Sequence, residues 1–181
     1  MKYQVLEMVG ISGEFPVNQL HRLIESSSYA EKIITELKNE KLIRTHYRDR
    51  LRGYRLTKHA KELLLAQNMP RFHDYLTGNT ETNLIRSELP RRIRLHQKAE
   101  IYLTLLHANI PIFYDVKPNI FSRTCEADSS FIQDLPLFYS SREIKTLGYD
   151  TTKIRNSRSV GILLSPQCVY ALYNTGNSVL K

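Results

Sequence analysis

The sequence predicts an α+β protein, and three observations carry that expectation. Apolar residues recur at helical spacing over residues 29–39 and again over about 91–107. Runs rich in β-branched and aromatic residues flank short turn segments in two places, as hairpins require: around RDRLRG at 48–53, and where VGILL and CVYALYN meet through Ser165-Pro166-Gln167. Charge is also concentrated. Lys41, Arg44, Arg48, Arg50, Arg52, Arg55, Lys58 and Lys61 face Asp49 alone over residues 41–61, a local charge of +7 in a chain of net charge +8. A basic stretch of that density favours a polyanionic partner.

The elements follow in order. Residues 2–9 predict a helix burying Leu6 and Val9, ended by the Gly10/Gly13 region. Phe15-Pro16 leads into a short helix with Val17, Leu20 and Ile24 on one side. Ser26, Ser27 and Ser28 supply a turn and an N-cap. The next helix carries Ala30, Ile33, Ile34 and Leu37 on one stripe and stops near Asn39-Glu40. Leu42-Ile43 opens an extended stretch with Thr45 and Tyr47, the arginine-rich tip turns the chain with Gly53 relaxing its backbone, and Tyr54-Arg55-Leu56 runs back. Thr57 caps a last helix bearing Ala60, Leu63 and Leu64. Helix, helix, helix, hairpin, helix is the order of a winged helix-turn-helix, expected over residues 1–78.

Residues 79–90 have few large apolar groups, end in Pro90 and read as a linker. A small α+β domain is expected over 91–181, with a role in dimerisation or as a degenerate nuclease. It begins with a helix from about Arg91 to His107 whose stripe is Leu95, Ala99, Tyr102, Leu103 and Leu106. IPIFYDV at 110–116 alternates and predicts a strand, and Ser140-x-x-Glu143 is a capping box opening a helix with Ile144 and Leu147. The two runs around Ser165-Pro166-Gln167 close a hairpin.

In a helix-turn-helix the second helix of the pair enters the major groove. The apolar stripe of residues 29–39 fixes its opposite face: Ser28, Lys32, Thr35 and Asn39 point away and become the candidate base and phosphate contacts. Glu31 and Glu36 leave that helix almost neutral, so attraction must come from the wing, where Arg48, Arg50 and Arg52 suit phosphates or a narrow minor groove. Lys58, at the next helix start, is a further DNA candidate. The expected partner is double-stranded DNA. A homodimer is also expected, because one winged helix has a short footprint, and the helix 91–107 is its candidate contact.

Other chemistry finds little footing. Glu143-Ile144-Lys145 matches the E-x-K half of a metal-dependent nuclease motif, with Asp115 or Asp134 as partner carboxylate, and a nuclease or relaxase-associated enzyme is the alternative function. That motif needs a strand, however, where a capping box predicts a helix. The six histidines lack metal-ligand spacing, His96 and His107 share what reads as a partly exposed helix face, and Tyr139 and Tyr149 lack activating partners. No catalytic residue, metal, cofactor or small-molecule ligand is expected. Arg86, Arg91, Arg92 and Arg94 either extend the DNA footprint or lie on a solvated helix end, and Lys153, Arg155 and Arg158 pose the same choice. Two cysteines, Cys125 and Cys168, without a CxxC pair fit a reducing cytoplasm, and neither a signal peptide nor a membrane-length apolar run occurs.

The pattern VNQLHRLIESSSYAEKIITELKNEKLIR…RLRGYRLTKHAKELL resembles the winged helices of bacterial and mobile-element DNA-binding proteins. FYSSREIKTLGYD…SRSVGILLSPQCVYALYNTGNS is similar to replication-relaxation-type proteins of plasmids and integrative elements in Gram-positive bacteria. The resemblance implies a winged helix ahead of a small α+β domain, acting in replication, transfer or transcriptional control of a mobile element. The end at Leu180-Lys181, soon after NTGNS, suggests that a further strand is missing from the second domain.

Overall fold

Helix α1, Lys2–Ser12, is apolar on nearly every side, and the computed structural model accordingly buries it from Val5 to Ser12. The structure describes residues 1–77, 82–118, 136–145 and 159–174, without the side chains of Asn83 and Lys145. Within them are α+β elements in two compact units, Met1–Leu103 and Thr104–Lys181.

Gly13 ends α1 in the left-handed region at φ 84°, where an L side chain is disfavoured. Strand β1 (Phe15–Pro16), one 3₁₀ turn (Val17–Gln19) and the single-turn helix α2 (Leu20–Leu23) follow. Helix α3, Ser27–Asn39, starts at Ser26, whose hydroxyl accepts the Tyr29 amide, and buries Ala30, Ile33, Ile34 and Leu37 as the spacing predicts. It ends with Lys41 at φ 55° and the Leu42 amide on the Leu37 carbonyl, a left-handed cap that turns the chain into a strand.

Strands β2 (Ile43–Arg48) and β3 (Leu51–Leu56) form the predicted hairpin, and β1 adds antiparallel to β3, giving the order β1-β3-β2. The two-residue strand β1 carries no alternation that a sequence pattern would reveal. Thr57 then caps α4 (Lys58–Gln67), as expected, by accepting the Ala60 amide. A further helix, α5 (Met69–Leu76), was not anticipated. Asn68 caps it and Pro70 sits in its first turn, where the missing N–H costs nothing, while Phe72 and Tyr75 are buried.

The predicted linker 79–90 is largely helical where it is described. Asn83–Arg86 form α6, and Leu89 already begins α7, which runs to His107. The unit boundary falls at Leu103, so most of α7 belongs with the N-terminal unit rather than opening a second domain at residue 91. Its stripe explains this. Leu95, Ala99, Tyr102 and Leu103 are buried, and Leu95 lies 3.4 Å from where a Cβ on Gly13 would stand. Lys98 adds its ammonium to the Ile11 carbonyl at 2.8 Å, a cation at the C-terminal end of α1, over the rings of Tyr75 and Tyr102. The apolar stripe of α7 is therefore covered within its own unit over these residues.

One buried cluster ties these pieces together. The Glu14 side chain is 0% exposed, and its carboxylate accepts Arg55 Nε at 2.7 Å, Arg92 Nη2 at 2.6 Å and His96 Nε2 at 2.8 Å. Gly53 makes room for it, since a Cβ there would stand 2.5 Å from Glu14 Oε1. Gly53 thus lies in the strand beside a carboxylate and not in the turn. The turn residues are Asp49 and Arg50, both left-handed at φ 52° and 59°.

In the second unit, β4 (Leu137–Ser140), β5 (Ser159–Leu164) and β6 (Val169–Tyr173) form an antiparallel sheet in that order. The predicted hairpin of β5 and β6 is present, turned by Ser165, whose hydroxyl accepts the Cys168 amide. The predicted strand at 110–116 is absent. Asn109 caps α7 in the left-handed region, Pro111 offers no donor to a ladder, and Tyr114–Val116 close into a 3₁₀ turn.

Two outcomes are expected. Gly53→Ala should destabilise the protein by about 2 kcal/mol, because the displaced carboxylate is buried, and an unchanged melting temperature would refute the close approach. Burial alone would raise the Glu14 pKa, but donation by His96, Arg92 and Arg55 outweighs it and holds the value at about 2, below the ordinary 4.5. A depressed carboxyl stabilises the fold fully above the unfolded value and loses that stabilisation as pH falls toward the folded one. Denaturant titrations between pH 5 and 2 should therefore show stability falling through this window, with a shallower fall in Glu14→Gln.

Candidate nucleic-acid interface

Because the apolar stripe of α3 is fixed in the core, its opposite face is fixed in water. Ser28, Lys32, Thr35 and Asn39 are all exposed, as their spacing predicts. The acids on that helix differ. Glu31 is exposed, whereas Glu36 is held by Lys2 Nζ at 2.7 Å, which keeps its carboxyl below the usual carboxylate range. Glu36 is thereby partly neutralised from α1.

The hairpin divides its cations between two faces. Cross-strand partners share a face, so the pairs Arg44↔Arg55, His46↔Gly53 and Arg48↔Leu51 lie on one side and Thr45↔Tyr54 and Tyr47↔Arg52 on the other. Gly53 and Arg55 identify the first side as the one toward Glu14. Tyr54, under Lys38 of α3 at 5.6 Å, identifies the second as the side toward α3. Of the three tip arginines, all exposed, Arg52 therefore lies on the α3 side, Arg48 on the opposite side and Arg50 at the turn. Arg48 also faces Asp49 at 3.4 Å. Alternation along the sequence does not align them, because a two-residue turn separates the strands.

The rest of the basic stretch is similarly sorted. Arg55 is consumed internally, and besides Glu14 it donates to the Ser87 hydroxyl at 3.3 Å and the Arg86 carbonyl at 2.8 Å. Lys61 is half-buried, and burial, then Arg86 and Arg44, push its pKa down. Lys58 is 93% exposed, 3.8 Å from Glu62 one turn on, a pair too solvated to hold it. Tyr47, opposite Arg52 and 69% exposed, was missed by the sequence reading; a large aromatic on the open part of a strand was the available signal.

The arginine group at 86–94 also separates. Arg92 is 0% exposed and bound to Glu14, while Arg94 is exposed. His96, expected on a partly exposed face, is on the Glu14 carboxylate with its side chain 14% exposed. Arg92 lies three residues before Leu95 and seven before Ala99, on the stripe itself, and that spacing was the signal for its burial. Lys153, Arg155 and Arg158 lie outside the described residues.

Glu143 does not stand as a metal ligand on a strand. It opens α8 (Ser141–Lys145), where its carboxylate accepts the Ser140 amide and the Ser140 hydroxyl accepts its own amide, the predicted capping box. Its other oxygen takes Lys117 Nζ at 2.6 Å, and both side chains are buried. Burial pushes the Lys117 pKa down even though Glu143 favours its charge. Among the described residues no three His, Cys, Asp or Glu side chains are grouped to hold a metal, and no helix is long and apolar enough to cross a membrane. Asp134, Tyr149 and Cys125 lie outside the description, and Cys168 is an exposed thiol.

No family model, curated protein or solved structure matches the chain, so the winged-helix and replication-relaxation resemblances gain no support from that side.

Breaking the buried pair should leave Glu143 uncompensated. Lys117→Met is expected to destabilise the second unit by about 3 kcal/mol or more in denaturant unfolding. A cost near zero would mean that the pair is open to solvent.

Proposed function

We propose that the N-terminal part of the chain, residues 1–78, works as a winged helix-turn-helix that binds double-stranded DNA. The observation that carries this reading is the exposed row Ser28, Lys32, Thr35 and Asn39 on α3 beside a hairpin tipped by Arg48, Arg50 and Arg52. The element order and the sheet order β1-β3-β2 support it, since they set a hairpin next to the second helix of a helix pair. In this reading α3 enters the major groove and supplies sequence preference, with Thr35 able to meet a thymine methyl and Asn39 an adenine edge. Arg50, Arg52 and Lys58 supply phosphate attraction, and Tyr47 stands with Arg52 on the hairpin face toward α3. Arg48 contributes less, being turned to the other face and beside Asp49. A role in replication, transfer or transcriptional control of a mobile element rests on the sequence resemblance alone.

Gel shifts over a range of salt concentrations test the reading. The Arg48, Arg50 and Arg52→Ala triple variant should weaken binding across all sequences and flatten the salt dependence by about one unit of slope per lost phosphate contact. Arg52→Ala alone should cost more than Arg48→Ala, while Lys32→Ala or Thr35→Ala should alter preference among sequences. Unchanged affinity in the triple variant would remove the wing from the interface. Selection from a random DNA pool would supply the target, and a palindromic product would report a dimer.

A further inference from the structure

We propose that Arg92 is a positioning residue for the hairpin: from α7 it fixes the hairpin tip that meets DNA, without touching DNA itself. The functional half of this proposal rests on the DNA-binding reading, whereas the mechanical half rests on geometry alone. Arg92 is 0% exposed, so no nucleic acid reaches its guanidinium. Beneath the hairpin that group donates to three main-chain carbonyls, with Nη1 on Arg48 O at 2.7 Å and Nη2 on Leu51 O at 3.1 Å and His46 O at 3.2 Å. Arg48 and Leu51 are the residues on either side of the two-residue turn.

Neutralising Glu14 does not account for this arrangement. Arg55 already reaches the carboxylate with two nitrogens, Nε at 2.7 Å and Nη2 at 2.6 Å, and His96 adds a third contact. Arg92 Nη1 is directed at Arg48 O, so part of the guanidinium serves the hairpin rather than the acid. The hairpin needs such support. Its turn places Asp49 and Arg50 in the left-handed region, which Asn and Gly occupy far more readily than arginine. A planar guanidinium with five fixed donors bridges several carbonyls and one carboxylate at once, whereas an ammonium offers one compact centre. A hairpin held in this way loses less freedom when it binds, and that saving appears as affinity.

The test uses the full chain with Arg92→Lys and Arg92→Met, read by amide hydrogen exchange and by salt-dependent DNA binding. In both variants residues 46–53 should exchange about ten-fold faster or more, with α3 unchanged. DNA affinity should fall by about ten-fold with an unaltered salt slope, because no phosphate contact is lost; Arg52→Ala, by contrast, should lower the slope. Should Arg92→Met fail to fold, Arg92→Lys decides. Unchanged exchange in the hairpin, or equal acceleration throughout the unit, overturns the clamp. Faster hairpin exchange with unchanged DNA affinity, or a lowered salt slope, overturns its positioning role. If the wild-type chain binds no DNA, the functional reading fails, and the clamp is judged by exchange alone.

Discussion

A carboxylate taken out of water must be answered by donors, and in this protein the answer to Glu14 decides much of the N-terminal unit. Two guanidiniums and an imidazole converge on it from β3 and α7. Each donor is tied to something further. Arg55 continues to the Arg86 carbonyl and the Ser87 hydroxyl, and Arg92 continues to the hairpin main chain. The loop after α1, the hairpin, α6 and the start of α7 are therefore fastened to one point. Gly53 is part of the same constraint, since any side chain there would occupy the carboxylate's place.

This constraint redistributes the charge that dominates the sequence. A run of eight cations over residues 41–61 suggests one continuous basic surface. Folding instead turns Arg55 inward, half-buries Lys61, and splits Arg48 from Arg52 across the ribbon. Of the tip arginines only Arg52 is left on the α3 side, with Arg50 at the turn beside it. Meanwhile Lys2 covers Glu36, so α3 is less acidic toward solvent than its composition implies. Under the proposed function these adjustments work in the same direction. They concentrate attraction between the helix and the near face of the hairpin.

Legibility in the sequence follows the range of the interaction that forms each element. The stripe of α3, the caps at Ser26 and Thr57, the hairpin 43–56 and the Ser140–Glu143 box all depend on residues a few positions apart, and all were readable. Strand β1 exists only because β3 lies beside it, and the polar stretch before Pro90 looked like a linker although Asn83–Arg86 form α6 and Leu89 already begins α7. Glu14 and Arg92 are 78 positions apart, and no local pattern joins them. The clue was indirect: an arginine at the position where the α7 stripe calls for an apolar residue, and an acid between Gly13 and Phe15 just past the largely apolar second half of α1. The strand expected at 110–116 failed for the converse reason, as alternation was present without a partner ladder.

The turn at Asp49-Arg50 shows how the cluster and the candidate interface depend on one another. Asparagine and glycine would make a two-residue hairpin at little backbone cost, but would leave no cation at its apex. Keeping Arg50 there places two non-glycine residues in the left-handed region, at a cost on the order of 1 kcal/mol each, less for aspartate. Donation from Arg92 to the carbonyls of Arg48 and Leu51, on either side of those two residues, is the compensating interaction. Arg92 in turn is affordable in the interior only because Glu14 is there to receive its charge. A positive charge at the exposed tip is thus sustained by a negative charge buried beneath the ribbon, and the acid that looks most remote from DNA chemistry is the one on which the hairpin's shape depends.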